Sequence, residues 1–216
     1  MNHLELVNKV LVRLRENKVS TVNQTPYSSL ISELVNEAKN LVEDAWDWTN
    51  LRTTLSGTTT EGVFSYEIEG ASTRFKMLDV VNDTSNQFMH LTSSSEFNDL
   101  FLNTDQVTTG EPLKYSYNGV SENNNLMVDV WPIPDGAYEL RFNGVKRSGD
   151  LVADADKLFV PETPVALLAY AYAIDERGED MGQASTYAHQ RAKSALSDAI
   201  AFDAARYPDE ITWRTC

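Results

Sequence analysis

The sequence is poor in the residues from which covalent and metal sites are built. Its only cysteine, Cys216, is the last of 216 residues, so neither an intramolecular disulfide nor a cluster of thiolates is possible. The histidines His3, His90 and His189 are isolated, and no paired-histidine motif or calcium-binding loop occurs. Glycine-rich phosphate loops and nucleophile elbows are absent too. We therefore expect a non-enzymatic protein without metal or cofactor, made in a reducing compartment.

Long apolar runs and basic segments are also missing. No stretch of about 18 apolar residues occurs. Charged residues interrupt the apolar positions throughout residues 1–20, so we expect neither a secretory signal nor a membrane anchor. The chain has 18 basic and 32 acidic residues and a net charge of −14, which disfavours binding to nucleic-acid phosphates. The commoner role of such a charge is simply to keep a protein soluble.

Apolar spacing predicts two helices near the start of the chain. The first covers residues 3–17, where apolar residues recur at intervals of three and four: Leu4, Val7, Leu11 and Leu14. Thr25 and Pro26 supply an N-cap and a favoured first residue for a longer second helix. Its apolar residues continue to Trp46 and are Ile31, Leu34, Ala38, Leu41, Val42 and Ala45.

Two more helices are predicted after residue 160. The first begins at Pro161 and ends at Gly178, and its apolar residues extend nearly all round, which is typical of a helix buried on most sides. Asp180 provides an N-cap for the last helix. The small apolar residues of that helix form a narrow stripe: Ala188, Ala192, Ala195, Leu196, Ala199 and Ile200.

Between these helix pairs the apolar period changes to two residues, which predicts strands. Turn residues separate the strands, as in Asn118-Gly119. Ser93 and Glu96 form a capping-box pattern that predicts a short helix over residues 94–102. The alternating residues form four groups: Phe64, Tyr66 and Ile68; Leu113, Tyr115 and Tyr117; Leu126, Val128 and Val130; Tyr138, Leu140 and Phe142.

These patterns predict an α+β fold, in which N- and C-terminal helix pairs form one four-helix layer and carry an inserted antiparallel β-rich domain. Residues 1–50 form the N-terminal helix pair, and residues 51–160 form the β-rich insert with its one short helix. Residues 161–204 complete the helical layer, and residues 205–216 form a tail.

The best candidate for chemistry is an acidic cluster of Asp175, Glu176, Glu179 and Asp180, which could supply paired carboxylates or hold a divalent ion. The cluster spans a turn between two helices. Carboxylates there favour the positive N-terminus of the next helix, and Arg177 offers a counter-charge. A structural role is therefore favoured over catalysis.

Trp46 and Trp48 are two residues apart at a helix end, so they cannot share one helical face. We expect one to pack in the core and the other to seal a helix–sheet junction. The sharper alternative is a sugar-binding platform made by Trp48, Trp131 and nearby tyrosines.

The tail carries aromatic and apolar residues without a core of their own, namely Tyr207, Ile211 and Trp213, followed by Arg214. Such residues anchor interfaces, so the tail is predicted to be a docking segment. The alternative is a strap that folds back onto the helices of its own chain.

Four stretches of the chain resemble the head-to-tail adaptor (connector) proteins of tailed phages, the tail tubular protein A-like family. They are the helix end Ala45-Trp46-Asp47-Trp48-Thr49-Asn50 with the following strand Leu51–Leu55, the β insert, the proline-opened helix ending Glu176-Arg177-Gly178-Glu179-Asp180, and the last helix with Ala195-Leu196-Ser197-Asp198-Ala199-Ile200 and Asp203. Together these stretches span most of the chain.

The resemblance implies a structural subunit at the head–tail junction of a virion, assembled in the host cytoplasm. Such a subunit joins a ring of twelve copies between the portal protein and the tail nozzle or tube protein. Genomic DNA passes through the ring without specific binding, and no membrane is involved. The resemblance also implies that the tail docks on the portal and that the β insert faces the phage tail. A head-completion protein of a long-tailed phage fits the same stretches.

Two further hypotheses compete with the adaptor. The first is a β-rich ligand- or carbohydrate-binding module braced by helices, which predicts a monomer with saturable binding. The second is a hydrolase that uses Asp175 and Glu179. It has the least support, because the sequence offers no further carboxylate or base to pair with them.

Overall fold

The structure is a computed structural model that describes residues 1–102, 108–178 and 183–206. The chain divides into two compact units. The helical unit contains Met1–Leu51 and the chain from Ser148 onward, and the β unit contains Arg52–Arg147.

Five helices and seven strands lie in the described ranges. In chain order they are α1 (His3–Arg13), α2 (Pro26–Ala45), β1 (Arg52–Thr58), β2 (Ser65–Ser72), β3 (Phe75–Asn82), β4 (Gln87–Leu91), α3 (Ser94–Leu102), β5 (Lys114–Val120), β6 (Asn125–Trp131), β7 (Glu139–Lys146), α4 (Glu162–Arg177) and α5 (Gln183–Ala204). A short 3₁₀ turn, Thr49–Leu51, follows α2.

Local capping explains where the helices begin and end. Thr25 caps α2 by accepting a hydrogen bond from the backbone N–H of Ser28, and Pro26 is the first helical residue, as predicted. The predicted short helix over residues 94–102 is α3. Gly178 ends α4 with a left-handed conformation at φ 62°.

In the helical unit, α4 is the central helix and contacts α1, α2 and α5. Its alanines allow this, because small side chains let neighbouring backbones approach closely from several sides. Most of its buried residues are small or branched: Val165, Ala166, Leu167, Ala169, Ala171 and Ala173.

One face of α2 is polar and buried, and it holds the chain segment that follows the β unit. Lys39 and Glu43 are both fully buried, with Nζ and Oε1 3.6 Å apart. Lys39 Nζ donates to Ser148 O at 3.3 Å and to Gly149 O at 2.7 Å, and Ser148 Oγ donates to Glu43. One helical turn earlier, the Asn36 side chain bonds Leu151 N at 2.8 Å and Leu151 O at 3.0 Å.

The β unit is a single seven-stranded sheet with the strand order β1-β7-β3-β4-β5-β6-β2. The edge strands β1 and β2 lie beside each other, so the sheet is a nearly closed barrel. All neighbouring pairs are antiparallel except β4 and β5, which α3 connects as a parallel pair. The core contains Ile68, Ala71, Phe75, Met77, Val80, Met89, Tyr115, Val128, Val130, Leu140 and Phe142.

The predicted fold class, a four-helix layer with an inserted antiparallel domain, is wrong. The chain is a mixed α/β protein with a nearly closed, barrel-like sheet. The sheet is not purely antiparallel, because the α3 crossover makes β4 and β5 parallel. The helices do not form a layer of two pairs, because α4 lies centrally against α1, α2 and α5.

The predicted apolar face of α2 is also partly wrong. Leu41 and Ala45 are exposed, whereas Val35, Lys39 and Glu43 are buried. The sequence pattern treats lysine and glutamate as solvated, but here the two side chains pair with each other, Lys39 Nζ bonds the Ser148 backbone, and Glu43 Oε1 accepts from Ser148 Oγ, while Glu43 Oε2 is buried without a described hydrogen-bond partner.

Among the residues described, no helix combines the length and the apolar character that crossing a membrane requires.

Gly144 of β7 is a position where only a hydrogen fits. A Cβ built there would lie 2.2 Å from Cζ of Phe75 and 2.7 Å from the backbone oxygen of Lys76. Gly57 of the neighbouring strand β1 is different, because its nearest neighbour, an atom of the Phe142 ring, would lie 3.6 Å from a new Cβ.

We expect Gly144→Ala to lower the free energy of unfolding by roughly 2 kcal/mol, because the backbone of β3 must shift to make room. Gly57→Ala is the matched control and should change it by less than about 0.5 kcal/mol. Urea titrations followed by the near-ultraviolet signal of the β unit measure both. Equal stabilities of the two variants would contradict the close packing at Gly144.

His3 is fully buried at the start of α1, with Nε2 3.0 Å from Ser32 Oγ. Burial lowers the pKa of His3 below its usual value of 6.5, although the nearby carboxylates of Asp154, Asp156 and Glu33 partly oppose the shift. The folded chain therefore holds His3 neutral at pH values where the unfolded chain already binds a proton.

The helical unit should accordingly lose stability as the pH falls below 6.5, because the unfolded state then binds more protons than the folded state. His3→Gln should flatten this dependence between pH 7 and pH 5. His90→Gln, at an exposed position in β4, should keep it. Urea midpoints from circular dichroism at 222 nm test the difference, and identical slopes in wild type and His3→Gln would refute it.

Candidate functional site

A groove with a volume of about 560 Å³ lies in the helical unit along the last turns of α5. One wall is the α5 surface from Ala195 to Phe202, and the other is the segment 158–164 that leads into α4. The half-buried end of the predicted α5 stripe, Ala195 and Ala199, lines the groove instead of filling a core.

Two aromatic side chains at the groove are open to solvent. Phe159 is 52% exposed and Phe202 is 70% exposed. The guanidinium of Arg206 lies 5.2 Å from the centre of the Phe202 ring, which fixes a charge at the end of the groove. Asp198 adds an exposed carboxylate that has no hydrogen bond or ion pair with any described residue. The surface thus combines exposed apolar groups with polar groups at its rim, as docking sites do.

Asp203 forms one side of the groove and connects the end of α5 to the end of α2. Its carboxylate accepts hydrogen bonds from Thr49 N at 3.0 Å, Thr49 Oγ1 at 2.9 Å and Trp46 Nε1 at 3.2 Å. Arg206 Nη1 lies 3.1 Å from the same carboxylate. The Asp203 side chain is only 7% exposed, so these partners replace the water that a carboxylate normally binds.

The sequence patterns above do not predict that Asp203 joins two helix ends, although its position in the chain indicates that it needs partners. The last turn of a helix carries negative partial charge, so an aspartate there is unfavourable unless it has partners elsewhere. Asp203 lies in the last turn of α5, and its partners come from the segment after α2.

Trp46 and Trp48 lie at the end of α2 near this groove. Trp48 is 2% exposed, and its Nε1 donates to Val42 O at 2.7 Å. Trp46 is half-buried against Asp203. Because both faces of the Trp48 indole are covered, this residue cannot stack on a sugar ring. The expected sealing of a helix–sheet junction by these two residues stays a prediction.

In the described part of the acidic cluster, Asp175 has a structural role: it joins the end of α4 to α5. Asp175 accepts hydrogen bonds from Ser185 Oγ and from His189, whose Nε2 lies 2.7 Å from Oδ2. These bonds, from Ser185 first and His189 second, lower the pKa of the Asp175 carboxyl. The carboxylate lies between the hydroxyl and the imidazole, so His189 does not contact the serine as a catalytic base would. Glu179 and Asp180 lie outside the described residues.

Within residues 1–102, 108–178 and 183–206, no group of three or more His, Cys, Asp or Glu side chains could hold a metal ion. The predicted docking residues Tyr207, Ile211, Trp213 and Arg214 lie outside the described residues. They follow directly on Arg206, which lines the groove.

Replacing the Asp203 carboxylate should loosen this end of the helical unit. Asp203→Ala leaves Thr49 N and Trp46 Nε1 without their acceptor, so we expect the free energy of unfolding to fall by about 2 kcal/mol. Glu176→Ala is the matched control, because it removes an exposed α4 carboxylate without a described partner. It should cost less than about 0.5 kcal/mol. Thermal unfolding followed at 222 nm compares the two, and equal losses would contradict the role of Asp203.

In a comparison with known protein families, a family model described as SU10 adaptor protein covers residues 1–212. No curated protein matches the chain. The predicted resemblance to phage adaptors is confirmed at this level, whereas the tail tubular protein A-like subfamily is not confirmed. A phage adaptor interacts with other head–tail components as part of the virion, and its role is structural rather than enzymatic. The match spans nearly the whole sequence, and the chain therefore belongs to the SU10 adaptor protein family.

Proposed function

We propose that this chain is the subunit of a ring that joins the portal of a phage head to the tail nozzle or tube. The observation that carries the proposal is the family match over residues 1–212, which makes the whole chain, rather than one segment, an adaptor. The number of twelve subunits is proposed from the resemblance to tailed-phage connectors.

The charge of the chain suits a ring through which DNA passes. A net charge of −14 repels phosphates, so genomic DNA can slide past the subunits without being bound. We propose that part of the acidic surface faces this channel.

The chain also has exposed apolar residues that would be covered in an assembly. In the β unit, Phe88 is 66% exposed, Leu91 is 59% exposed and Leu102 is 80% exposed. Phe64 packs against Phe101, the neighbour of Leu102, with ring centres 5.5 Å apart and the ring planes tilted by 53°. Apolar and aromatic surfaces of this kind supply the centres of protein interfaces. In the proposed ring they contact a neighbouring subunit or a tail protein.

The proposal assigns the contact with the portal to the tail of residues 205–216. Tyr207, Ile211 and Trp213 are residue types that anchor interfaces, and Arg214 can pair with carboxylates. The β unit is proposed to face the phage tail. The subunit would be incorporated at the head–tail junction after assembly in the host cytoplasm.

The competing ligand-binding module has little support from the side chains it needs. Trp48 is buried, and Trp131 has the Lys114 ammonium 5.9 Å from its ring centre. A sugar ring that stacks on that face of Trp131 would have to displace the cation.

Portal binding tests the adaptor proposal. The purified chain, mixed with portal rings of the same phage, should form a collar that is visible by electron microscopy and co-sediments with the portal. The double variant Ile211→Asp/Trp213→Asp should lower the apparent affinity at least tenfold, because it places charges among the proposed anchors. Tyr187→Asp, at a 68% exposed position of α5 away from the tail, is the control and should bind normally. Portals that stay bare at saturating concentrations would overturn the proposal.

A further inference from the structure

The groove beside α5 fits a segment of this same chain. We propose that residues 207–216 dock in the groove of their own subunit and cover Phe159, Phe202 and Ala199. This inference depends on the groove and on the tail sequence, so it holds or fails independently of the ring and the portal.

The tail begins at the groove. Arg206 is the last described residue and lines the groove itself. Ten residues can span at most about 33 Å when extended. The α5 wall from Ala195 to Phe202 is eight residues of helix, or about 12 Å long. The tail is therefore long enough to cross the whole groove even after it has turned back.

The tail sequence supplies the turn that this path requires. To follow the groove, the chain must reverse direction after the end of α5. Pro208 and Asp209 come directly after Tyr207, and a Pro-Asp pair is typical of tight turns because proline fixes φ and the aspartate side chain bonds nearby backbone. The reversal thus falls at the start of the tail, as the groove needs.

The residues beyond the turn match the chemistry of the groove. In an extended segment, Ile211 and Trp213 point to the same side, so both can face the exposed rings of Phe159 and Phe202. Arg214 follows them and is opposite in charge to Asp198, which has no described partner. Apolar residues meet apolar residues, and a cation meets a carboxylate.

The short connection favours the chain's own tail over the tail of a second copy. Residues that begin within a few positions of their binding site have an effective concentration in the millimolar range. A second copy at ordinary protein concentrations cannot compete unless the ring holds it in place. In the free subunit, docking would also cover the tail residues that are proposed to bind the portal, so portal binding would have to release them.

Cleavage of the Trp213–Arg214 bond by chymotrypsin measures docking in the full chain. Intact mass spectrometry follows the loss of the last three residues. Wild type should be cleaved slowly, and Phe202→Asp should accelerate cleavage at least tenfold by placing a charge in the apolar groove. Tyr187→Asp is the matched control, because it changes an exposed aromatic of α5 that does not line the groove, and it should leave the rate within twofold.

A second variant separates undocking from misfolding. Ile211→Asp changes only the tail and should accelerate cleavage as strongly as Phe202→Asp, while the circular dichroism spectrum stays that of wild type. Cleavage rates of synthetic peptides of residues 207–216, with and without the substitution, show how far Ile211→Asp changes the intrinsic rate at the Trp213–Arg214 bond. A wild-type rate equal to that of the free peptide, or an unchanged rate in Ile211→Asp, would overturn the proposal.

Dilution distinguishes the two sources of a docked tail. If the tail docks within its own subunit, its protection from chymotrypsin should be the same at protein concentrations of about 1 µM and about 100 µM. Protection that appears only at the higher concentration, together with a dimer in sedimentation, would assign the groove to the tail of a second copy and refute docking within one subunit.

Discussion

The buried ion pair between Lys39 and Glu43 fixes where the chain re-enters the helical unit. Two fully buried charges are costly, and they are tolerated here because each finds polar partners on the segment that begins at Ser148. The segment 148–151 is not part of the sheet, and side chains of α2 provide hydrogen bonds to it instead. This contact fixes the start of the segment that leads to the wall of the groove. Farther along, the start of α1 holds the same segment, because His3 N donates to Asp156 O at 2.9 Å and Leu158 N donates to Met1 O at 3.2 Å.

A second buried carboxylate completes the groove from the opposite side. Asp203 connects the last turn of α5 to Thr49 and Trp46, just after α2 ends. Asp203 thus ties the α5 wall to the end of α2, and the other wall continues the segment whose start Lys39 holds. Apolar packing alone would let α5 slide along α4, because alanine surfaces specify the register of two helices weakly. Directed hydrogen bonds to a carboxylate fix that register.

The sequence predicts those features that short-range physics determines. Caps at Thr25 and Ser93 and the terminating Gly178 set helix ends correctly, because each acts on its own turn. Strands β3 and β4 were not predicted: a register shift between Met77 and Asp79 breaks the alternation of β3, and β4 is only five residues long. The parallel pairing of β4 with β5, and the partners of Lys39, Glu43 and Asp203, depend on residues far away in the chain, which no local pattern contains.

The same distinction applies to the site. The half-buried Ala195 and Ala199 belong to a helical stripe that periodicity assigns to a core, yet the described residues leave this end of the stripe partly open beside the exposed Phe202. An apolar stripe with an open end is costly for an isolated subunit and useful for an adaptor, because surfaces that must be buried on assembly have to exist before it. In a family of adaptors, such a groove is better explained by a segment that covers it and can be displaced than by imperfect packing, since small alanine side chains could have been replaced by larger ones that fill the space.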